Sequence, residues 1–277
     1  MTRAELVAVA RLDLGEVLRS RWLWLCVGIY AVLAAAFVLV GMRESSVLGF
    51  TGIGRVLFSL CHALVLVLPL LALLATVQAV NRARDDGSLE LFLSHPIGRS
   101  AWLAGVTAVR VAALVGPLIV VMAGIAALGA AQGQAVPWAL FARAVAVCAA
   151  LLAAYAGVGL AVSVAVRNPA RAMTLVFLIW MVSVLLLDFA GIALLLQWRM
   201  PAQAVFALAA ANPVQAARLA LLSAAEPTLA TLGPVGFYLA TRVGAAALLG
   251  LGLAWPLAVG AGAWTFGWLR FRRGDLV

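Results

Sequence analysis

The sequence predicts an all-α integral membrane protein with six transmembrane helices. Three observations carry that reading. Mean hydropathy is +1.14, and 66% of the 277 residues are hydrophobic against 10% charged. Apolar runs of about 20 residues recur along the chain, each long enough to cross the ~30 Å hydrocarbon core as a helix. The runs are continuous, unlike the roughly ten-residue alternating segments of a membrane β-barrel. No stretch has the polarity of a soluble domain, so residues 1–277 read as one transmembrane domain.

Net charge is +9, and all 19 basic residues are Arg. A nucleic-acid surface would gather them on one face; here they sit at span ends, as topology signals do. Without Lys the chain lacks the phosphate-binding lysine of a Walker A loop, so it does not hydrolyse ATP by that machinery. Cys26, Cys61 and Cys148 lie in different spans with no C-x-x-C, which implies neither a disulfide framework nor a metal site. Cys61 and His62 are neighbours on one helix and read as core residues. The first apolar run follows about 21 charged-rich residues and is too long for a cleavable signal. No residue here is assigned bond chemistry, so the chain reads as a non-enzyme.

Residues 1–21 form an amphipathic helix. Leu6, Val7, Ala10, Leu14, Val17 and Leu18 share a face, with Glu5, Asp13, Glu16, Arg19 and Ser20 mostly opposite. Such a helix lies flat on the membrane surface. The spans fall near 22–42, 56–80, 102–131, 138–166, 172–196 and 242–269. An even number puts both termini on one side. With both ends in the cytoplasm, twelve Arg lie inside and six (Arg43, Arg55, Arg143, Arg199, Arg218, Arg242) outside, which is the favoured orientation for a bacterial inner-membrane protein. Trp22, Trp138 and Trp198 fit interfacial positions. Arg110, within the third span, snorkels to the cytoplasmic face.

The segment 82–101 is the densest island of charge. Asp85, Asp86 and Gly87 lead into a short helix over Ser88 to Ser94. Gly87 permits the turn and Ser88 caps the helix. Leu89, Phe92 and Leu93 share one face, Pro96 ends the helix, and Arg99 anchors the return to the membrane. An exposed apolar face with charged flanks suits docking to a partner's groove; burial in lipid is the competing reading.

Residues 197–241 form a long outer segment. Asn212-Pro213 is an N-cap and first-turn pair for a helix reaching about Ala225. A seventh, degenerate span is the competing reading here. In the last span Ala246, Gly250, Ala254, Ala258 and Gly262 form a small-residue stripe, with a weaker one at Ala112, Gly116 and Gly124; both read as packing faces. Asp188 falls near the outer boundary of the fifth span, at the depth of Arg143. The two make either a structural ion pair or an outer gate.

The second span, the 82–101 loop and its exit resemble the ABC-2 class of ABC transporter permeases. Asp86-Gly87-Ser88-Leu89 followed by Pro96 and Arg99 is similar to that family's coupling helix, with Asp85, Phe92 and Leu93 in the same element. The resemblance implies a homodimer or related pair driven by two separate cytoplasmic ATPase subunits. ATP and Mg would bind those partners, leaving no cofactor in this chain.

A narrower resemblance is to the permeases of nitrous oxide reductase maturation (the NosY type). It rests on Gly49-Phe50-Thr51, Pro69-Leu70, the HPIGR exit, Asp188, Asn212-Pro213 with Arg218, and the basic end Arg270, Arg272 and Arg273. Asn81, Arg82 and Arg84 depart from it, standing where that family tends to be acidic. It implies a periplasmic β-helical partner, meeting Asn212, Pro213 and Arg218, and assistance to copper–sulfur centre assembly. A general ABC-2 exporter of a lipid, drug or polymer is the alternative. An ion-coupled secondary transporter would need ionisable groups near the midplane, which the spans do not offer.

Overall fold

The computed structural model describes residues 2–41, 53–94, 98–186, 206–207, 210–226, 229, 236 and 239–273. The regular structure among them is entirely helical. Helix α1 is Arg3–Arg19, capped by Thr2. The Thr2 Oγ1 accepts from the Glu5 N–H at 3.3 Å and donates to the Glu5 carboxylate at 2.8 Å. The cap satisfies one of the N–H donors that a helix start otherwise leaves open. Ser20 separates α1 from α2, Arg21–Gly41. Then come α3 (Ile53–Val77), α4 (Ala79–Asp85), α5 (Ser88–Ser94), α6 (Arg99–Ala131) and α7 (Trp138–Ala165). Helix α8 (Pro169–Met181) starts at a capping Asn168 and runs on as a π-helical turn, Val182–Leu186. Helix α9 (Pro213–Ala225) precedes a π-helical turn at Leu239–Val243 and the last helix, α10 (Ala245–Arg273).

Among the described residues, five helical stretches are long and apolar enough to cross a membrane: Arg21–Val40, Ile53–Asp85, Arg99–Ala131, Trp138–Ala165 and Ala245–Arg273. The sequence predicts six. The fifth predicted span, 172–196, is seen as the shorter apolar helix Pro169–Leu185, and 187–196 lie outside the described residues.

Helix α7 is the centre of the bundle. Of its most apolar stretch 72% is buried, against 17% for α2 and 22% for α10. It packs between α3 and α10, with α9 against α10, α7 and α3. In a bilayer, lipid is as apolar as Leu, so close backbone packing rather than hydrophobicity holds helices together. The contacts have that character. A Cβ on Gly157 would strike the Gly260 carbonyl, and one on Gly260 would strike Ala154 of α7. Gly267 lies against Ala161, and Gly252 against Ala216 and Ala220 of α9.

Within the single chain these contacts do not use the predicted stripes. Gly250 and Gly262 have nothing near them, and Ala246, Ala254 and Ala258 are exposed. The buried line of α10 is Leu248, Gly252, Pro256, Gly260, Gly267 and Phe271. On α6, Ala112, Gly116 and Gly124 are likewise exposed. A chain this rich in Ala and Gly carries several small-residue stripes, and their spacing does not say which meets protein.

Replacing Gly260 by Val is expected to force α7 and α10 apart, at a cost of about 1–3 kcal/mol. Gly262→Val, set in open space, should be tolerated. Thermal unfolding of the two purified variants in detergent checks this; equal melting temperatures would refute the contact.

Candidate functional site

The charged island is built where α3 breaks. Thr76 donates to the Ala72 carbonyl at 2.7 Å and is pressed against Gly159. Back-bonding of this kind bends helices, and the chain turns at Gln78 before resuming as α4. Ser163 of α7 accepts the Val80 N–H at 3.0 Å. A donor at the start of α4, which has no partner in its own helix, is thus caught by the central helix. Arg82 donates through Nε to the Gln78 side chain at 3.1 Å.

The turn from α4 into α5 uses Gly87 in the left-handed region, φ +70°. That conformation suits Gly because it carries no Cβ. Ser88 does not cap α5, as predicted, but is its first residue. Its hydroxyl donates back to the Ala83 carbonyl at 3.3 Å, while the Gly87 carbonyl accepts the Leu91 N–H.

The face of α5 corrects a second expectation. Leu89 is 1% exposed and sits in a cluster with Val9, Val80, Trp102, Leu103 and Phe271, with Phe92 packed partly against it. Leu89 and Phe92 are therefore the root of α5, not a free docking face. Outward stand Asp85, Asp86, Glu90, Ser94 and Leu91, which is 63% exposed. The side chain of Leu93 and the whole of Pro96 lie outside the described residues.

The floor beneath α5 is stitched across helices. Arg99 donates to the Arg272 carbonyl at 3.1 Å. Trp268 donates to Ser100 at 3.0 Å and Trp264 to Thr107 at 2.9 Å. Trp102 stacks on Phe271 with ring centres 5.7 Å apart, and Arg272 lies over Trp268. The ends of α6 and α10 thus carry α5 as one platform.

Helix α1 joins it through α6. Val9 fills the notch that Gly105 leaves. One turn on, Asp13 meets Arg110, with Oδ1 to Nη2 at 3.4 Å; Arg110 also donates to the Ala75 carbonyl at 2.7 Å. Sequence reading placed Asp13 on the solvated face and gave Arg110 only a snorkelling role. Instead Asp13 is 8% exposed, while Val7, Leu14 and Leu18 of the predicted apolar face are exposed. The helix has two working sides: Leu6, Val9, Ala10, Asp13 and Val17 toward the protein, Val7, Leu14 and Leu18 away from it. The missed signal was Arg110 itself, since a charge inside a span asks for a partner. Burial pushes the Asp13 carboxyl above its ordinary range, and the nearby Arg110 charge offsets this only in part. A groove of about 270 Å³ separates α1 from α4 and α5, lined by Asp13, Glu16, Arg82, Asp86, Phe92 and Arg110 among others.

Other predicted residues are dispersed. Arg143 is exposed on α7, and Asp188 lies outside the described residues, so their pairing is not seen. Asn212 caps α9 as expected, accepting the Val214 N–H at 3.0 Å, and its amide donates to the Ser183 carbonyl at 2.6 Å. Pro213 opens that helix and Arg218 is half-buried within it. Most of 197–209 and 227–238 lies outside the described residues. Cys61 is buried and His62 exposed. Among the described residues no group of three or more His, Cys, Asp or Glu could hold a metal ion.

Residues 7–276 match the family model described as "ABC-2 family transporter protein". The chain belongs to the ABC-2 transporter family. It is 37% identical over 97 residues to a probable ABC transporter permease protein NosY of Stutzerimonas stutzeri, and 32% identical over 97 residues to the NosY of Pseudomonas aeruginosa. Each match spans 35% of this chain and 35% of the relative. The chain is thus a membrane subunit of the ABC-2 permease type, similar over part of its length to permeases named NosY.

Two outcomes follow from this geometry. Leu89→Ala should cost about 2–5 kcal/mol, as a buried Leu deletion does, whereas Leu91→Ala should leave the melting temperature nearly unchanged. The Asp13 carboxyl binds its proton more tightly folded than unfolded, so its contribution to stability is greatest in acid. That contribution falls as pH rises from the ordinary aspartate value through the raised one. Melting temperatures across that pH range should show the slope in the native protein and a flatter one in Asp13→Asn; identical slopes would refute the raised value.

Proposed function

We propose that this subunit receives the stroke of partner ATPases on the α4–α5 platform and passes it through the bundle to the periplasmic side. It would do so as a homodimer with both termini in the cytoplasm. The observation that carries this reading is the construction of α5. A buried root, Leu89 with Phe92, fixes it to α6 and α10, while Asp85, Asp86, Glu90 and Leu91 face outward as a crest. A push on such a crest cannot be absorbed by a loose loop. It enters α7 through Val80 and Ser163, and α10 through Arg99 and the Arg272 carbonyl. The NosY-named relatives support a narrower reading: work on the assembly of the copper–sulfur centre of nitrous oxide reductase, with copper as cargo of the larger system rather than a ligand of this chain. A periplasmic partner would meet the segment around Asn212, Pro213 and Arg218, and ATP and Mg would be bound by the ATPases.

Glu90→Arg with Leu91→Asp should leave a folded permease whose partner ATPase is lost. An interfacial anchor is worth about 2 kcal/mol or more, roughly a thirtyfold drop in affinity. Co-purification from native membranes in mild detergent measures it. Retention of the ATPase at wild-type stoichiometry would sink the crest as docking surface. Absence of any ATPase from the wild-type preparation would sink the coupling reading as a whole.

A further inference from the structure

We propose that the seam between α1, α2 and α6, at the N-terminal end of the bundle, binds an anionic phospholipid of the adjoining leaflet. The phosphate would lie in a basic groove, with the start of an acyl chain at the crevice between α2 and α6 beneath it. The groove, of about 840 Å³, is lined by Arg11, Arg19, Arg21, Arg82 and Arg110, with Glu16 as the acidic group and Trp22 at its base. Asp13, on the adjoining groove, is already engaged by Arg110. With Arg110 paired to Asp13, four further guanidinium groups against the Glu16 carboxylate make a site for a phosphate ester, which Arg binds through its planar fork.

Depth selects a lipid. Helix α2 runs from Arg21 to Gly41. At the α-helical rise its length matches the ~30 Å hydrocarbon core, which sets Arg21 at the boundary. Helix α6 runs from Arg99 to Ala131. It is roughly 50 Å long and exceeds the core by roughly 20 Å. Counting ~30 Å back from Ala131 reaches Arg110. Arg21, Trp22 and Arg110 therefore share the level at which lipid phosphates sit. Basic pockets between spans at this level are suited to anionic headgroups.

The seam continues as a lipid would. Beneath the groove is a narrow crevice lined by Trp22, Leu23, Cys26, Arg110, Ala113 and Leu114. A basic groove above a crevice of largely apolar lining matches the junction between a phospholipid's headgroup and its chains. Trp22 Nε1 and Arg110 Nε, both on residues lining the headgroup end, are buried without a protein partner, so donors there are left for a ligand. The exposed Leu18, Trp24 and Leu25 border this region and give the site an apolar flank.

The test uses the full-length purified protein, delipidated in detergent and titrated with phosphatidylglycerol, phosphatidylcholine or inorganic phosphate, with binding read by native mass spectrometry. Phosphatidylglycerol should bind at least about tenfold more tightly than phosphatidylcholine. Arg19→Gln with Arg21→Gln should remove that preference, since each cation near an anionic headgroup is worth about a fivefold factor. Displacement of phosphatidylglycerol by millimolar inorganic phosphate would show that the groove takes a soluble anion and overturn the lipid assignment. Equal binding of the two lipids, or an unchanged preference in the Arg19→Gln, Arg21→Gln variant at unchanged melting temperature, would overturn the site.

Discussion

The architecture depends on how closely α7 lets other backbones approach. Gly157 and Ala154 meet Gly260, Ala161 meets Gly267, and Gly159 meets Thr76. These contacts matter because a bilayer removes the usual driving force. Apolar side chains gain nothing by leaving lipid for a protein interior of equal polarity, so packing density and satisfied polar groups decide the arrangement. Helix α7 carries no ionised residue from Ala144 to Ala165, and its small residues form grooves on two sides. Helices α3 and α10 lie in those grooves. The bend of α3 at Thr76 follows from the same contact, and that bend directs α4 and α5 away from the axis of the span. The platform is thus a consequence of the core, not an appendage to it.

Much of this was legible in the sequence. The apolar runs mark the spans within a few residues, Gly87 marks the turn, and Asn212-Pro213 marks the start of α9, because each signal is local and its physics does not depend on the neighbours. What stayed hidden is the direction each helix faces. The stripe Ala246 to Gly262 and the buried line Gly252, Pro256, Gly260 and Gly267 are both made of small residues, and a lipid-facing side looks the same as a packed one. Leu89 looked like a docking residue because an exposed anchor and a buried root share one pattern; Trp102, Leu103 and Phe271, far away in sequence, decide between them. Asp13 was misassigned for the same reason, its partner lying 97 residues on. The proposed Asp188–Arg143 pair gains no support, since Asp188 falls outside the described residues.

The Asp13–Arg110 pair binds the interfacial helix to the bundle at an energetic cost. A buried ion pair is weak evidence for stability, because desolvation offsets much of the attraction, while loss of one partner leaves a stranded charge. Asp13 Oδ2 and Arg110 Nε have no protein partner, so this pair is only partly satisfied. Incomplete satisfaction of this kind suits a joint better than a weld. It lies where α1, the α3–α4 break and α6 converge, with Arg110 reaching both Asp13 and the Ala75 carbonyl.

That position bears on how force would travel under the proposed coupling. Movement of α5 carries α6 and α10 with it through the tryptophan and arginine bonds at their ends. Helix α1 is held to α6 by Val9 in its glycine notch and by Asp13, so it follows the same body. Helix α2 is held less tightly: little of it is buried, and an apolar groove runs between it and α6 over Ala31–Leu39. The bundle therefore has a dense centre, α3, α7, α9 and α10, and a first span of which little is buried. Of the described spans α2 has the least of its surface buried, so its motion against the rest of the bundle remakes least. A lipid headgroup held by Arg19, Arg21 and Arg110 would tie the near ends of α2 and α6 together, making bilayer composition a determinant of how the stroke is transmitted.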